Sequence, residues 1–326
     1  MKVIETFKRL TEKAQNIVIT THTYPDADGI GSQIALCTAL KQLGKNVICV
    51  NEKALLERYK YLDPQSVVIS YDKFMDSSIN KNIDLFIVAD TNSLERIGSK
   101  VQNMVTVARD LLYIDHHPCP KEIARIHCID TEAAATGELV GRLIESLGIS
   151  FTKEMALPLY TSILIDTSSF RYPTVSANTH RLIAKLMDTG IEPPEAYNYI
   201  YGTKKASYMQ LLGTVLTSVE ATKDEKVGWL KIKESELKNF NVDPEDTHSF
   251  INHLLILDNI KVACMFRQIG KRVKISFRSA GDVDVGIMAQ SLGGGGHNHS
   301  AATILEGQLG KVIEDTIPKI QMMLEE

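Results

Sequence analysis

Apolar residues along the chain fall into short continuous runs, and several of these runs end abruptly in carboxylate or imidazole side chains. Four such runs are Asn16–His22 (NIVITTH), Ile83–Asp90 (IDLFIVAD), Leu111–His117 (LLYIDHH) and Leu159–Asp166 (LYTSILID). Continuous apolar runs of this length are typical of strands in a parallel sheet that is buried on both faces. The fourth run follows a helical pattern, so it could also be the end of a helix. The pattern predicts an α/β fold with polar groups at the ends of its buried elements.

The segments between these runs predict helices that flank the sheet. Met1–Ala14 has apolar residues at helical spacing and precedes the strand Ile17–Thr21, whereas Gly31–Leu43 predicts a helix that leads to the strand Asn46–Asn51. This β-α-β order implies parallel pairing of the two strands. Further elements are predicted in this region: helices at Glu52–Leu62 and Thr136–Leu147, the latter capped by Thr136, and strands at Val67–Ser70 and Ala124–Ile129.

The polar residues that end the apolar runs are suited to one shared site. In open α/β sheets, ligands bind outside the carboxyl ends of the strands, near the point where the strand order reverses. Unpaired buried charge is costly, so carboxylates and imidazoles gathered there need a metal ion, a partner or solvent. Oxygen-rich sets with a few imidazoles suit Mn²⁺, Mg²⁺ or Fe²⁺, and the candidate ligands are His22, Asp26, Asp28, Asp90, His116 and Asp166. This number suits two ions, and ions ~3.5–4 Å apart recur in displacement at phosphorus.

The first run leads into a loop, 22–32, that carries three of the candidate ligands. Asp26 and Asp28 are one residue apart and could face two different ions, while Gly29 and Gly31 permit close backbone approach. The sequence leaves open a purely local alternative, an Asx-turn in which Asp28 caps the following helix.

A different pattern begins near residue 227. Residues 174–226 predict helices at 177–190, 193–202 and 204–217, with too little Gly and Ser for a flexible linker. An α+β module follows, with predicted strands at 228–232, 261–267, 271–278 and 303–305 and predicted helices at 245–255, 283–292 and 309–324. We therefore expect an α/β domain at 1–186, a helical connector at 187–226 and a smaller α+β domain at 227–326, with the active site in a cleft between the domains.

Four consecutive glycines, Gly293–Gly296, precede His297 in the second domain. Such a run is entropically costly, so something must approach its backbone closely, and bare N–H groups can cradle an anion. Together with Arg278 and Ser279, the run predicts a pocket for a phosphate or a nucleotide end. One alternative is a flexible linker, but the ordered elements that flank the run argue against it. Another is a metal pair formed by His297 and His299, but no carboxylate lies nearby in the sequence to complete a ligand set.

Composition narrows the functional classes without changing the predicted fold. The 326 residues are 44% hydrophobic and carry a formal net charge of −4, which suits a large core and not a protein that coats DNA through clustered Lys and Arg. Five cysteines are present without CxxC spacing, namely Cys37, Cys49, Cys119, Cys128 and Cys264. Without a signal peptide or a membrane-length apolar run, we expect a reduced, cytoplasmic protein that does not associate with membranes.

The polar residues that end the apolar runs, taken together, resemble the successive motifs of the DHH phosphoesterases. The matching motifs are His22-x-x-x-Asp26-x-Asp28, Asp90, Asp115-His116-His117 and Asp166, and the segment Gly294–Ala302 resembles the DHH-associated C-terminal domain. Nearly the whole chain is covered, in order, and its layout is most similar to the bacterial nanoRNase group. The resemblance implies hydrolysis of short oligoribonucleotides and of linear dinucleotides such as pApA and pGpG, and dephosphorylation of 3′-phosphoadenosine-5′-phosphate (pAp) to AMP. Some members hydrolyse cyclic di-AMP.

The resemblance also implies roles for the residues of the first domain. The first Mn²⁺ would be held by His22, Asp26 and Asp90, and the second by Asp28, Asp90, His116 and Asp166, with Asp90 bridging. His117 would face the scissile phosphate as a hydrogen-bond donor or proton carrier. Asp115 would orient His116, because ligating imidazoles commonly have a carboxylate partner.

Substrate would be held by residues from both domains: Phe170, Arg171, Tyr172, Arg278, Ser279, Gly294, Gly295, Gly296 and His297. Two departures from the family pattern bear on this set. Ser168 and Thr303 stand where the family commonly has glycine, which leaves substrate preference open.

The expected partners are short single-stranded RNA, dinucleotides and nucleotide bisphosphates, since no basic stripe for long duplex nucleic acid is present. The sequence leaves open the direction of attack and whether the chain forms a homodimer. Other readings are a pyrophosphatase of the same superfamily, a longer-chain exonuclease and a non-enzymatic nucleotide sensor.

Overall fold

The computed structural model describes residues 2–77, 82–121, 123, 127–202 and 204–325, with the backbone alone for Lys2 and His297. The chain divides into two compact units, Met1–Gly202 and Thr203–Glu326. Each unit has a sheet and a hydrophobic core, as the α/β and α+β patterns predict. The finer boundaries at residues 186 and 226 remain a prediction.

A parallel sheet organises the first unit. Within its described residues the strands are β1 Asn16–Thr20, β2 Asn46–Asn51, β3 Val68–Ser70, β4 Ile83–Ala89, β5 Ala108–Asp115 and β6 Cys128–Ile129. Their order is β3-β2-β1-β4-β5-β6, and all neighbours pair in parallel. The order reverses between β1 and β4, so the crevice beyond the carboxyl ends of these strands is the expected ligand position.

Helices cover both faces of this sheet, which is why its strands are apolar on both sides. They are α1 Lys2–Lys13, α2 Ala27–Gln42, α3 Tyr71–Asp76, α4 Ser99–Val105, α5 Thr136–Ser146, α6 Lys153–Asp166, α7 Ala177–Met187 and α8 Pro193–Ile200, with 3₁₀ turns at Glu57–Leu62 and Leu94–Ile97. Helices α2 and α6 approach closely, since a Cβ on Gly31 would lie 2.3 Å from the carbonyl oxygen of Pro158.

Three predictions for this unit need correction. The run Leu159–Asp166 ends helix α6, so the strand interpretation is wrong and the helical alternative is confirmed. Helix α2 begins at Ala27, earlier than the predicted Gly31, because Asp26 caps it. The helix predicted at Glu52–Leu62 is only a 3₁₀ turn at its C-terminal half, because its apolar residues anchor an irregular segment to the core.

The second unit is built around a mixed sheet. Its described strands are β7 Glu220–Ala221, β8 Val227–Ile232, β9 Val262–Ile269, β10 Arg272–Ser279, β11 Gly295–His297 and β12 Ser300–Glu306, in the order β11-β12-β10-β9-β8-β7. Only β8 and β9 among these pair in parallel. Its described helices are α9 Ala206–Leu216, α10 Glu234–Phe240, α11 Val285–Ser291 and α12 Leu309–Glu325, with 3₁₀ turns over Pro244–Ile256.

Two elements of this unit differ from the predicted pattern. The helix predicted at 245–255 consists of 3₁₀ turns. Part of the glycine run forms a strand that the pattern does not predict, since Gly295–His297 pairs with β12. In the first unit, residues 124–126 of the strand predicted at 124–129 lie outside the described residues. None of the described helices is both long and apolar enough to cross a lipid bilayer.

Candidate metal centre and active site

The loop that follows β1 brings His22 and Asp26 next to Asp90 at the end of β4. His22 Nε2 lies 3.4 Å from Asp90 Oδ2, and His22, Asp26 and Asp90 each offer one ligand atom within 4.8 Å of the others. The loop is compact because Asp26 Oδ1 accepts hydrogen bonds from the N–H groups of Asp28 and Gly29, at 2.9 and 3.3 Å. The capping residue is thus Asp26, and the alternative in which Asp28 caps the helix is wrong.

Asp90 occupies a left-handed backbone conformation directly after β4. Its φ is +64°, a value that is uncommon for residues other than glycine and that costs of order 1–3 kcal/mol. Its side chain is buried. The two carboxylate oxygens have different neighbours, since Oδ1 accepts a hydrogen bond from Thr136 Oγ1 at 3.0 Å while Oδ2 faces His22. The strained turn therefore directs one carboxylate into the crevice between β1 and β4.

A second group of donors lies around Asp28, whose side chain is 1% exposed. His116 Nε2 lies 3.7 Å from Asp28 Oδ2 and 3.2 Å from Asp166 Oδ2, so these three side chains also converge within 4.8 Å. Asp166 reaches this point from the last turn of α6 rather than from a strand. Asp90, His116 and His117 form a third group that shares members with the other two.

The sequence Asp115-His116-His117 at the end of β5 turns its two imidazoles in different directions. Asp115 Oδ1 lies 2.7 Å from His117 Nδ1 and also accepts from the backbone N–H of His116, while Asp115 Oδ2 accepts from Asn92 Nδ2 at 2.8 Å. His116 Nδ1 lies 3.1 Å from the carbonyl oxygen of Ala133. The prediction that Asp115 orients His116 is therefore wrong: Asp115 orients the ring of His117, and Ala133 O orients that of His116.

Burial and mutual repulsion shift the pKa values of the gathered groups. Burial, reinforced by the charge of Asp90, raises the pKa of Asp28 to about 7, and burial also raises the pKa of Asp166 to about 7. Burial alone would lower the pKa of His116, but the carboxylates of Asp166 and Asp28 outweigh it and raise this pKa to about 9. The raised pKa values of both the carboxylates and the imidazole indicate that negative charge in the cluster is not compensated. A divalent cation would supply the missing positive charge.

The donor set fits divalent cations by its chemistry. Carboxylate oxygens outnumber imidazole nitrogens in each of the two groups His22–Asp26–Asp90 and Asp28–His116–Asp166, and such sets suit Mn²⁺, Mg²⁺ or Fe²⁺. Asp90 takes part in two of the three groups. These residues are therefore the ones that could hold metal ions.

The start of α5 supplies contacts that the sequence interpretation missed. Asp28 accepts hydrogen bonds from the N–H groups of Thr136 and Gly137, at 2.9 and 3.0 Å, and from the hydroxyl of Ser162 at 2.5 Å. The position before α5 is Ala135, without a side-chain cap, so the prediction that Thr136 caps this helix is wrong. Its hydroxyl instead bonds Asp90. The run of small residues before Thr136 was the available signal, because small side chains permit such close approach.

The loop after α6 contains Phe170, Arg171 and Tyr172, which were predicted to line the substrate site. Three successive residues of this loop, 168–170, have positive φ angles, which explains why glycine would suit position 168. Phe170 packs against the core, with its ring 6.2 Å from that of Tyr160. Arg171 donates from Nε and Nη2 to the carbonyl and hydroxyl oxygens of Ser168. Both side chains thus have local structural contacts, and their role toward substrate remains a prediction.

In the second unit, the remaining predicted residues meet on neighbouring strands. Arg278 on β10 pairs with Ser300 on β12, and Ser300 pairs with His297 on β11, so the three positions form one row across the sheet. The side chain of His297 lies outside the described residues. Arg278 Nη1 donates to the carbonyl of Phe277, whereas Arg278 Nε is buried and has no hydrogen-bond partner in the described part of the chain.

The glycine run and Ser279 have structural contacts of their own. A Cβ on Gly294 would lie 2.2 Å from Ala302 O, and one on Gly296 would lie 2.4 Å from Ala301 Cα. Strand β12 is thus what approaches these two glycines closely, whereas a Cβ on Gly295 would meet nothing within 4 Å among the described residues. The Ser279 hydroxyl donates to the carbonyl of Val283 at 2.6 Å. Gly295 therefore combines the predicted position with open space beside it, and Arg278 is half-buried.

Comparison with known proteins assigns both units to families. Residues 16–163 match the DHH family, N-terminal domain, and residues 226–326 match the DHHA1 domain. The chain is 29% identical to the bifunctional oligoribonuclease and PAP phosphatase NrnA of Thermus thermophilus, over 89% of this chain and 84% of that protein. It is 26% identical to the protein of the same name from Bacillus subtilis, over 86% of each.

Among solved structures, an exopolyphosphatase-related protein from Bacteroides fragilis has the same architecture. The TM-score is 0.88 at 28% identity, covering 99% of this chain and 97% of that one. The DHH match includes five of the six gathered donors, and Asp166 lies just beyond it. The chain belongs to the DHH family of phosphoesterases, with a DHHA1 domain following its DHH domain, and is a hydrolase that acts on phosphate esters.

Proposed function

We propose that this chain hydrolyses short oligoribonucleotides and linear dinucleotides to mononucleotides, and pAp to AMP, with two divalent cations, of which Mn²⁺ is the first choice. The observation that carries the proposal is the convergence of His22, Asp26, Asp28, Asp90, His116 and Asp166 in overlapping groups at the strand-order reversal. The names of the two similar proteins support the choice of substrates.

The proposed role of each donor is based on the group of side chains to which it belongs. His22 and Asp26 would hold one cation and Asp28, His116 and Asp166 the other, with Asp90 shared between them. When bound, such ions lower the pKa of a coordinated water toward about 7 and neutralise charge on the phosphate. Asp28 is held for this task by Thr136, Gly137 and Ser162, whose donors fix the direction of its carboxylate.

His117 is placed to handle a proton. Burial alone would lower the pKa of its imidazole, but Asp115, which lies 2.7 Å from His117 Nδ1, outweighs burial and raises this pKa. A ring fixed through Nδ1 presents Nε2 as the atom that would donate to a phosphate oxygen or to the leaving group. Asp115 is thus a positioning residue for His117.

The second unit contains a candidate position for binding a phosphate group. Arg278 is half-buried and its Nε has no hydrogen-bond partner among the described residues, while a Cβ on Gly295 would meet none of their atoms within 4 Å. The N–H groups of Gly293 and Gly294 already donate to the carbonyls of Gln290 and Ala289, so the guanidinium of Arg278 would supply the main contact, through donors that match phosphate oxygens. This would favour substrates with a phosphate remote from the scissile one, such as pApA and pAp.

A substrate panel tests the proposal. The purified chain with Mn²⁺ is assayed on pAp, pApA, cyclic di-AMP, a labelled five-nucleotide RNA, a long RNA of about 20 nucleotides and pyrophosphate, so that short and long substrates are compared directly. We expect the highest kcat/KM on pApA, pAp and the five-nucleotide RNA. A clear preference for pyrophosphate, for cyclic di-AMP or for the long RNA would contradict the proposed substrate class.

An Asp90→Asn variant tests the shared carboxylate. The amide keeps the size of the side chain but removes the charge that both ions would use, so we expect hydrolysis to fall by at least about 100-fold. Asp84→Asn is the matched control, because Asp84 lies on the same strand β4 and bonds the backbone of Gln15 and Asn16 instead. Full hydrolysis by Asp90→Asn would overturn the assignment.

A further inference from the structure

We infer that Tyr24 and Lys53 form a platform for a nucleobase of the substrate, on the first unit and beside the proposed metal ligands. This inference rests on the proposed function and deepens it, because it adds a base-recognition subsite to a centre otherwise built for phosphate. The sequence interpretation passed over both residues.

The backbone fixes Tyr24 close to the gathered donors. Tyr24 lies between His22 and Asp26 in the sequence, and the loop that carries it is held at two points. The N–H of Thr23 donates to the carbonyl of Arg96 at 2.7 Å, and Asp26 caps helix α2. Because Tyr24 directly follows one anchor and closely precedes the other, its backbone has a defined position beside the gathered donors.

The ring of Tyr24 is presented to solvent rather than used in packing. It is 82% exposed, the largest value among the large hydrophobic side chains of the described residues. Phe170, one of the two aromatic residues predicted to line the site, packs against the core instead. An exposed aromatic ring beside a charged centre contributes nothing to the core, but it offers a face on which a base can stack.

Lys53 adds a positive charge to the same surface. Its Nζ lies 5.4 Å from the centroid of the Tyr24 ring, within the distance of a cation–π contact. Because the ring is so exposed, this contact leaves most of its surface accessible. The platform therefore joins an aromatic face to an ammonium group, which matches a base and its attached phosphate.

Stacking of this kind tolerates different bases, since every base has a π-face. The platform should therefore distinguish substrates that have a base from those that lack one, and discriminate weakly between adenine and guanine. That behaviour fits an enzyme that removes mixed short RNA fragments rather than one specific dinucleotide.

The test compares Tyr24→Phe with Tyr24→Leu in the full chain with Mn²⁺. Phenylalanine keeps the ring, and leucine keeps apolar bulk without it. On pApA we expect Tyr24→Leu to raise KM by at least about fivefold with little change in kcat, while Tyr24→Phe stays near the wild type. Lys53→Gln should raise KM by a smaller factor that shrinks at high salt.

A binding measurement provides a second readout. The chain contains one tryptophan, Trp229, so a Tyr24→Trp variant adds one indole at the platform. We expect AMP to quench the added fluorescence and ribose 5-phosphate, which lacks a base, to leave it unchanged.

The outcomes separate the inference from the proposed function. If the wild type does not hydrolyse pApA, the proposed function fails. If the wild type hydrolyses pApA and Tyr24→Leu has the same KM, or if AMP and ribose 5-phosphate quench Tyr24→Trp equally, the platform is refuted while the proposed function stands.

Discussion

Asp90 shows how one side chain can serve two groups of donors. Its left-handed backbone and its bond from Thr136 fix Oδ1, while Oδ2 faces His22. A buried carboxylate that lost the Thr136 hydroxyl would keep its charge but lose one of the contacts that direct it. The hydroxyl of Thr136 therefore supports Asp90 and does not cap the helix that Thr136 begins.

Replacing Thr136 by valine tests this role, because valine keeps the shape and removes the hydroxyl. We expect Mn²⁺ affinity, measured by calorimetry, to fall by about 10-fold, as is typical when a partner of a metal ligand is lost. Thr136→Ser retains the donor and should retain the affinity. Equal Mn²⁺ affinity of Thr136→Val and wild type would contradict the assigned role.

The pKa values of the cluster predict that metal binding depends on pH. At a pH of about 6, Asp28 and Asp166, with pKa values of about 7, and His116, with a pKa of about 9, are largely protonated. A cation must displace these protons, so Mn²⁺ affinity should rise between about pH 6 and pH 8. Calorimetry in two buffers of different ionisation enthalpy would measure the protons released. Affinity that is constant over this range, without proton release, would contradict the prediction.

The gathered donors could be selected from the sequence, but their supports could not. Carboxylates and imidazoles that end apolar runs are unusual enough to indicate a site on their own. Thr136 and Ser162 carry no such signal, because a hydroxyl at a helix start is ordinarily a cap. That Thr136 meets Asp28, 108 positions away, depends on the packing of α5 against α2.

Among the elements, the glycine strand β11 has two neighbouring positions with different requirements. Gly296 has a φ of +148° and would place a Cβ 2.4 Å from Ala301, whereas a Cβ on Gly295 would face open space. We expect Gly296→Ala to reduce the free energy of unfolding by about 1–3 kcal/mol, and Gly295→Ala to change it by less than about 0.5 kcal/mol. Urea denaturation measures the free energy of unfolding of both variants. Equal losses would show that contact with β12 is not what makes glycine necessary at position 296.

Apolar runs predicted β1, β4 and β5 correctly because strands buried on both faces carry no polar stripe. The same pattern led to a wrong strand prediction at Leu159–Asp166, because α6 is buried over most of its surface and also lacks a polar stripe. The sequence pattern indicates no strand at the glycine run, because glycine has low strand propensity. Its pairing with β12 depends on the geometry of the whole sheet, which a local pattern does not contain.

At the scale of the whole molecule, the gathered donors and the glycine strand belong to different units. All six donors lie within Met1–Gly202, which has its own sheet and core. We expect a fragment of residues 1–202 to fold and bind Mn²⁺, while its affinity for pApA falls because Arg278 and Gly295 are missing. Circular dichroism and calorimetry measure these properties, and a folded fragment that binds no Mn²⁺ would contradict the prediction.

The strand order has a consequence for how the protein is made. Neighbouring strands β1 and β4 come from distant parts of the sequence, and the last donor arrives only with Asp166. A nascent chain that has emerged from the ribosome only as far as Asp90 therefore holds four of the donors. It still lacks His116 and Asp166. The complete set of donors is therefore present only after α6 has been synthesised, and a shorter nascent chain cannot assemble the proposed metal centre.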